Sequence, residues 1–300
     1  MRALFIINPT AGSNRARARW TTFEPQLRRT GIQADYLFTT SPGEATHLAR
    51  KAASQYDLLI AVGGDGTASE VANGILSAQA GNAALGVVPF GTGNDFAKTL
   101  GVQTDASAIA SVVSGKTKSI DVIEVHCVVN GKAIVRYALL FAGIGIVCES
   151  LKRTSGAVKW LFGQHMAYHV GLAWALCRYR SPRVRIRCDL ATYHERFLFA
   201  GASNTEIAGG GMKIAPGARI DDGELNVNLI EALGFWQALK QLGRLRRGEH
   251  TTHPAVRYLP ARTLEVDADS ALEVAADGDL IGHAPARFII RPKALQVGVP

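Results

Sequence analysis

The chain has 300 residues, 47% of them hydrophobic and 19% charged, which suits two domains with sizeable cores and excludes a disordered or fibrous protein. A net charge of +8 favours anionic partners: a nucleotide, a nucleic acid or an acidic membrane surface. Cys127, Cys148, Cys177 and Cys188 show neither a CxxC pair nor a zinc spacing, so reduced, buried thiols in a cytoplasmic protein are expected. The apolar run 3–7 ahead of Pro9 is too short for the apolar part of a signal peptide. The runs around 137–148 and 166–177 fall short of the ~18 residues that span a bilayer.

In chain order, ALFII (3–7), DLLIAV (57–62) and ALGVVP (84–89) are short apolar strands, each followed by a turn rich in glycine. Leu4, Phe5, Ile6 and Ile7 run continuously rather than alternating, as strands buried on both faces do. After DGT, Val71, Ala72, Ile75 and Leu76 fall on one helical face, with Glu70, Asn73 and Ser77 largely off it. Strand, loop and helix in alternation predict a Rossmann-like parallel sheet with ligand sites at the carboxyl ends of its strands. From about Val122 the texture changes to short β-like runs: VIEVHCVV, AIVRYALLFAG, RVRIRCDL, ERFLFAGAS, GELNVNLIEA, TLEVDA, ALEVAADG and ARFIIRP. In RVRIR, Arg183, Arg185 and Arg187 alternate with Val184 and Ile186, the period of an antiparallel strand with one wet face. The second half therefore reads as an antiparallel β-sandwich with helical insertions near 157–179 and 234–247. No internal repeat or low-complexity segment is present.

The loops carry the chemistry. NPTAGSNRARARW (8–20), GGDGTASE (63–70) and PFGTGNDFAK (89–98) each follow a strand and supply backbone N–H groups, hydroxyls and helix N-termini, the parts that cradle phosphate. None matches GxxxxGK[ST], and no GxGxxG follows a strand. Tight turns capping strands are the plain alternative for any one loop; three in succession, two of them with an acid in the turn, weigh against it. An aspartate beside phosphate repels it unless a cation lies between, so Asp65 and Asp95 imply Mg²⁺.

NPTAG, GGDGT and PFGTGNDFA resemble the motifs of the diacylglycerol kinase catalytic family, which includes sphingosine and ceramide kinases. GGGMKIAPGARIDDGELNV (209–227) and VAADGDLIGHAPARFIIRPKALQV (274–297) resemble second-domain motifs of its bacterial soluble lipid kinase branch, so the resemblance covers nearly the whole chain. NAD kinases share GGDGT, but GTGNDFAK and APGARIDDGELNV look like lipid kinase. The resemblance implies an α/β ATP-binding domain over 1–122, rejoined by a final strand at 291–300, and a β-rich lipid-substrate domain over 123–290, with the active site in the cleft between them. Asn8, Pro9, Gly12, Thr39, Gly63, Gly64, Gly66, Thr67, Gly91, Thr92 and Asn94 would line the ATP site. Asp65 and Asp95 would organise phosphates and catalytic Mg²⁺, with Asp121 joining that network. Arg219, Asp222 and Glu224 match a second, structural Mg²⁺ site, Arg219 and Glu224 through their carbonyls. The general base of the family closes a DGE triplet; here the triplet is Asp277-Gly278-Asp279, a departure that makes Asp279 the expected base and Asp277, pointing away, the lesser candidate.

The activity so implied is ATP- and Mg²⁺-dependent phosphorylation of a lipid hydroxyl, diacylglycerol first, with a sphingoid base, monoacylglycerol or phosphatidylglycerol as other acceptors. An NAD kinase-like enzyme and a non-catalytic nucleotide- or lipid-binding regulator are the alternatives. ATP and a lipid presented at a membrane are the expected partners, with peripheral contact at the anionic inner face, no nucleic acid, and a homodimer left open. Arg178, Arg180, Arg183, Arg185, Arg187, Lys240, Arg244, Arg246 and Arg247 either dock on anionic lipid or form a solvated basic surface. Trp160, Phe162, Tyr168 and Trp174, with His165 and His169, lie on a helix that either packs on the β domain or walls a lipid groove; a metal at the two histidines lacks the HExxH pattern.

Overall fold

A computed structural model of the chain describes residues 1–81, 83–153, 175–176, 178–189, 191–268 and 271–300. The chain divides into two compact units, Met1–Asp121 with Lys293–Pro300, and Val122–Pro292.

In the first unit, β1 (Ala3–Ile7), α1 (Ala11–Asn14), α2 (Ala16–Arg28), β2 (Ala34–Phe38), α3 (Glu44–Ala52), β3 (Leu58–Gly63), α4 (Asp65–Leu76), β4 (Ala84–Pro89), α5 (Asp95–Thr99) and α6 (Asp105–Val113) follow one another. The strands pair in parallel in the order β4-β3-β1-β2, and Val297 near the chain's end joins the far side of β4 at Leu85, also in parallel. Every residue of β1, β3 and β4 is buried, which explains their unbroken apolar sequence. Strand β2, absent from the sequence reading, is a largely exposed edge strand (ADYLF), so no apolar run marks it. Trp20 of α2 packs on Phe5 with ring centroids 5.3 Å apart, and Phe23 meets Phe90 edge-on at 5.6 Å. One helix-face expectation is corrected: Asn73 is buried, its amide satisfied by Ser69 O. Beside it, a Cβ at Gly74 would lie 2.5 Å from the Ala49 Cβ, so α3 and α4 approach through a glycine.

In the second unit the strands are β5 (Thr117–Val129, begun in the first unit), β6 (Lys132–Ala138), β7 (Phe141–Gly145), β8 (Arg183–Cys188), β9 (Ala191–Ser203), β10 (Leu225–Glu231), β11 (Val256–Ala261), β12 (Thr263–Asp267), β13 (Glu273–Ala276) and β14 (Asp279–Gly298), with helices α7 (Ile146–Arg153) and α8 (Phe235–Arg247). Their pairings are antiparallel: β10 with β9 and β11, β7 with β9 and β13, β13 with β14, β12 with β14 and β8, β8 with β9, and β5 with β6. Ile186, Leu264, Val227, Phe197 and Phe288 belong to its core. The chain is thus mixed α/β with a large antiparallel sheet in its C-terminal region.

Strand β8 alternates exposed arginine with buried apolar residues as its sequence indicates. The arginines do not form a free basic stripe, however. Across the β8–β12 register, Arg187 pairs with Glu265 at 2.5 Å and Arg185 approaches Asp267 at 3.8 Å, so the partner strand neutralises part of that face. The single run AIVRYALLFAG is divided at Leu139–Leu140, where a carboxylate from the turn between β13 and β14 holds the backbone. No described helix is long and apolar enough to cross a membrane. Cys127, Cys148 and Cys188 are free and buried; Cys177 lies outside the described residues.

Candidate active site

The parallel strands end in loops that the sequence marked, and these loops touch one another. After β1, Asn8 Oδ1 accepts from the backbone N–H of Thr10 at 3.0 Å and from its hydroxyl at 2.8 Å, an Asx-turn that carries the chain through Pro9. The Asn8 amide also reaches the Thr67 hydroxyl at 3.3 Å, linking the β1 loop to the first turn of α4. Gly12 has φ +60, and a Cβ there would lie 2.3 Å from Phe90 O, so only glycine brings the first loop against the end of β4. Gly91 donates to Gly63 O at 2.8 Å, and a Cβ on Gly91 would stand 2.3 Å from the Gly64 Cα. Asn94, at φ +54, donates to Gly91 O at 2.8 Å and immediately precedes α5 without a side-chain capping bond. Thr39 is buried at the end of β2, with its N–H on Ile7 O. Gly66 and Thr92 are exposed on the same loops.

Two acids stand at the heads of the short helices that leave these loops. Asp65 opens α4, and its Oδ1 accepts from the Phe96 N–H at 2.9 Å. Asp95 opens α5, is fully buried, and has Lys98 Nζ 3.1 Å from its Oδ1. Burial pushes the Asp65 carboxyl above the usual carboxylate range and the charge of Asp95 adds to the shift, while the Phe96 N–H opposes it. Two mutually repelling, partly desolvated carboxylates are a donor set that a hard divalent cation satisfies. Among the described residues no three of His, Cys, Asp and Glu gather as a metal site. The pair fits Mg²⁺, which characteristically takes one or two carboxylates and fills its remaining positions with phosphate and water.

Asp121 is fully buried, and its Oδ1 accepts from the Lys293 N–H at 2.7 Å. It holds the returning end of the chain in the first unit, whatever further part it plays.

In the second unit, Asp277-Gly278 is the two-residue turn joining β13 to β14. Both residues have positive φ, +48 and +92, as the type I′ hairpin turn needs. The Asp277 carboxylate accepts from the N–H groups of Leu139 and Leu140, each at 2.8 Å, and of Phe141 at 3.2 Å. This clamp is what breaks the β6–β7 run. Asp279, across the pair with Ala276, is exposed at the first position of β14. Arg219, Asp222 and Glu224 are exposed. Asp222 Oδ1 accepts from the Glu224 N–H at 3.1 Å, Gly223 takes φ +77, and Arg219 Nε lies 3.5 Å from Asp221 Oδ1. The helix around His165 and His169 lies outside the described residues.

One feature had no sequence signal recognised for it. The second unit contains an apolar cavity of about 110 Å³ beneath α8, with Asn228, Gln241 and His250 in its wall. The hint is Asn228, a buried amide in LNVNLI, where the other asparagine, Asn226, is only half-buried.

Residues 2–125 match the model of the diacylglycerol kinase catalytic domain, and residues 145–299 match the model described as the YegS C-terminal NAD kinase beta sandwich-like domain. A diacylglycerol kinase of Staphylococcus epidermidis is 31% identical over 301 residues, spanning 100% of this chain and 92% of the relative. That of Bacillus subtilis is 29% identical, spanning 100% and 96%. The crystal structure of a diacylglycerol kinase from Bacillus anthracis superposes with a TM-score of 0.79 at 26% identity, covering 100% of this chain and 97% of the other.

Proposed function

The chain belongs to the diacylglycerol kinase family of lipid kinases, and on that premise we propose that it transfers the γ-phosphate of ATP to the free hydroxyl of diacylglycerol, giving phosphatidic acid and ADP. The observation that carries the reading is the pair Asp65 and Asp95, set on two short helices at loops so closely packed that glycine is required. In this reading the unit Met1–Asp121 with Lys293–Pro300 binds the nucleotide and the unit Val122–Pro292 binds the acceptor.

Phosphoryl transfer depends on positioning and charge neutralisation more than on covalent help. Backbone N–H groups around Gly12, Gly63–Gly66 and Gly91–Asn94 hold phosphate oxygens, helped by the Thr67 and Thr92 hydroxyls. Asp65 and Asp95 would hold Mg²⁺, which would supply charge neutralisation to the phosphates. The acceptor hydroxyl forms the new O–P bond as the bond from the γ-phosphorus to ADP breaks, and its proton passes to Asp279. An aspartate there is one methylene, about 1.5 Å, shorter than the family's glutamate, so either the hairpin or a bridging water closes the distance. Asp222, with the Arg219 and Glu224 carbonyls, would hold a second, structural Mg²⁺. The acceptor is met at an anionic membrane face, to which the exposed Lys240 and Arg246 of α8 offer charge.

The test uses radiolabelled ATP, Mg²⁺ and mixed micelles of candidate acceptors, with NAD as a soluble control. Label on diacylglycerol supports the proposal. Label on NAD alone makes the protein an NAD kinase, and label on nothing makes it a binding protein.

A further inference from the structure

The cavity of the second unit is apolar almost throughout. Ala238, Gln241, Leu242 and Leu245 repeat along the inner stripe of α8 and face Leu198, Phe199 and Ile230 of the sheet. Water needs two to four polar partners to be held in such a space, and most of these walls offer none, so the bulk of the cavity suits hydrocarbon.

Its polar wall is different. Asn228 is 2% exposed, and its Nδ2 donates to Ile214 O at 3.2 Å and to His250 Nε2 at 2.9 Å. Those two acceptors fix the orientation of the amide, because reversing it would set oxygen against oxygen. Nε2 of His250 must then be the acceptor, so the ring is neutral; burial agrees, pushing its pKa down to about 4. The consequence is that Asn228 Oδ1 is buried without a partner among the described residues, and so is Oε1 of Gln241, which is 8% exposed. Buried acceptors left unpaired are costly, and two in the wall of one cavity need an explanation.

We propose that this cavity takes a lipid chain bearing a hydrogen-bond donor, a hydroxyl or an amide N–H, which pairs with the Asn228 and Gln241 carbonyl oxygens. The proposal deepens the lipid kinase reading and rests on it for the identity of the ligand as an acceptor. The connection to that site is physical: Phe141 forms part of the cavity wall, and its N–H is one of those held by Asp277 in the turn that carries Asp279. A chain seated in the cavity leans on the same backbone that positions the proposed base.

The experiment has a binding arm and a turnover arm. Binding of stearate and of stearates hydroxylated at successive positions is measured by calorimetry on the full chain and on the Gln241→Leu and Asn228→Leu variants. Turnover is then measured on diacylglycerols carrying the same chains. At least one hydroxylated stearate should bind about tenfold tighter than stearate, the worth of one well-made buried hydrogen bond. Both leucine variants should level that preference. Gln241→Leu is the safer variant, since Asn228→Leu also strands Ile214 O. If no hydroxylated chain outbinds stearate, or if the preference survives Gln241→Leu, the polar wall holds only water and the proposal is wrong. The two readings fail separately: selective binding with no lipid phosphorylated removes the kinase reading, whereas phosphorylation without chain preference removes this one.

Discussion

Gly63-Gly64-Asp65-Gly66 in the first unit and Asp277-Gly278-Asp279 in the second are both glycine turns carrying carboxylates, and their acids are used in opposite ways. Asp277 gives its oxygens to three backbone N–H groups on a neighbouring segment. Those bonds commit it to the fold, and the hairpin is expected to depend on it. Asp65 is supported by the backbone N–H groups of Phe96 and Asp95, but burial and the charge of Asp95 outweigh them and leave its ionised form disfavoured. An acid kept where ionisation is costly stabilises the fold less than an amide would, which fits the proposed role of Asp65 toward a metal and phosphate. Asp279, two residues from the clamp, is exposed and reads as a third case, an acid aimed outward from a rigid support.

The largest expected effect is on Asp65. Asp65→Asn keeps an oxygen for the Phe96 N–H but removes the charge, so turnover should fall by about 10²- to 10³-fold. The folded-state pKa is raised, so the carboxyl costs nothing while protonated, and the cost appears as pH rises through the shifted value. In metal-free buffer the variant should therefore melt at or above the parent's temperature at pH ~7, with the gap closing towards pH ~4, the ordinary carboxylate range. A variant that melts well below the parent at neutral pH would make Asp65 a structural acid like Asp277, and the contrast between the two turns would collapse.

Next in size is the proposed base. Asp279→Asn should cost at least ~10²-fold in turnover, the usual worth of a general base, with no change in melting temperature because the side chain is exposed. Asp279→Glu should retain or raise activity by restoring the missing methylene. Parent-like turnover by Asp279→Asn would move attention to Asp121, since the hydrogen bonds of Asp277 already occupy it.

The clamp is broken by Asp277→Ala, which leaves three backbone N–H groups without their acceptor. Destabilisation of about 3 kcal/mol is expected, read as a lower urea midpoint. Asp277→Asn should lose less, since asparagine tolerates the positive φ and keeps one acceptor. If the alanine variant unfolds at the parent's urea concentration, the clamp is not what supports the hairpin.

How much of this the sequence discloses differs between the units for a physical reason. In the first unit each strand is buried on both faces, so ALFII and ALGVVP are legible as unbroken apolar runs with observed bounds equal to those runs. Strand β2 is an exposed edge and left no such trace. In the second unit, alternation disclosed β8, but not that Glu265 and Asp267 on β12 sit opposite its arginines, because register across strands far apart in sequence has no local signal. The break after Ala138 was invisible for the same reason: its cause, Asp277, lies 138 residues away from Leu139 along the chain. The glycine-rich loops after β1, β3 and β4 were legible because their close packing demands glycine locally. The cavity was not, because its polar wall combines β10, α8 and His250, which follows α8 in the chain, and no single segment shows the combination.

The smallest effect tests the remaining turn. Asp222-Gly223 has a complete local explanation: Oδ1 accepts the Glu224 N–H at 3.1 Å and Gly223 supplies φ +77, so the bend forms without any ion. The proposed structural Mg²⁺ asks more of Asp222 than the turn does, namely its charge. Asp222→Asn preserves the Asx-turn, since asparagine presents the same oxygen, and removes only that charge. If the ion binds, a Mn²⁺-soaked crystal of the parent shows an anomalous peak beside Asp222 that the variant lacks. Mg²⁺ should then raise the parent's stability by about 1 kcal/mol more than the variant's, the linkage expected for a ligand at several times its Kd. An empty anomalous map at saturating Mn²⁺, with equal Mg²⁺ effects on the two proteins, would leave Asp222 with the role its hydrogen bond already describes. It would then belong with Asp277, among the acids that shape the second unit rather than those that serve a ligand.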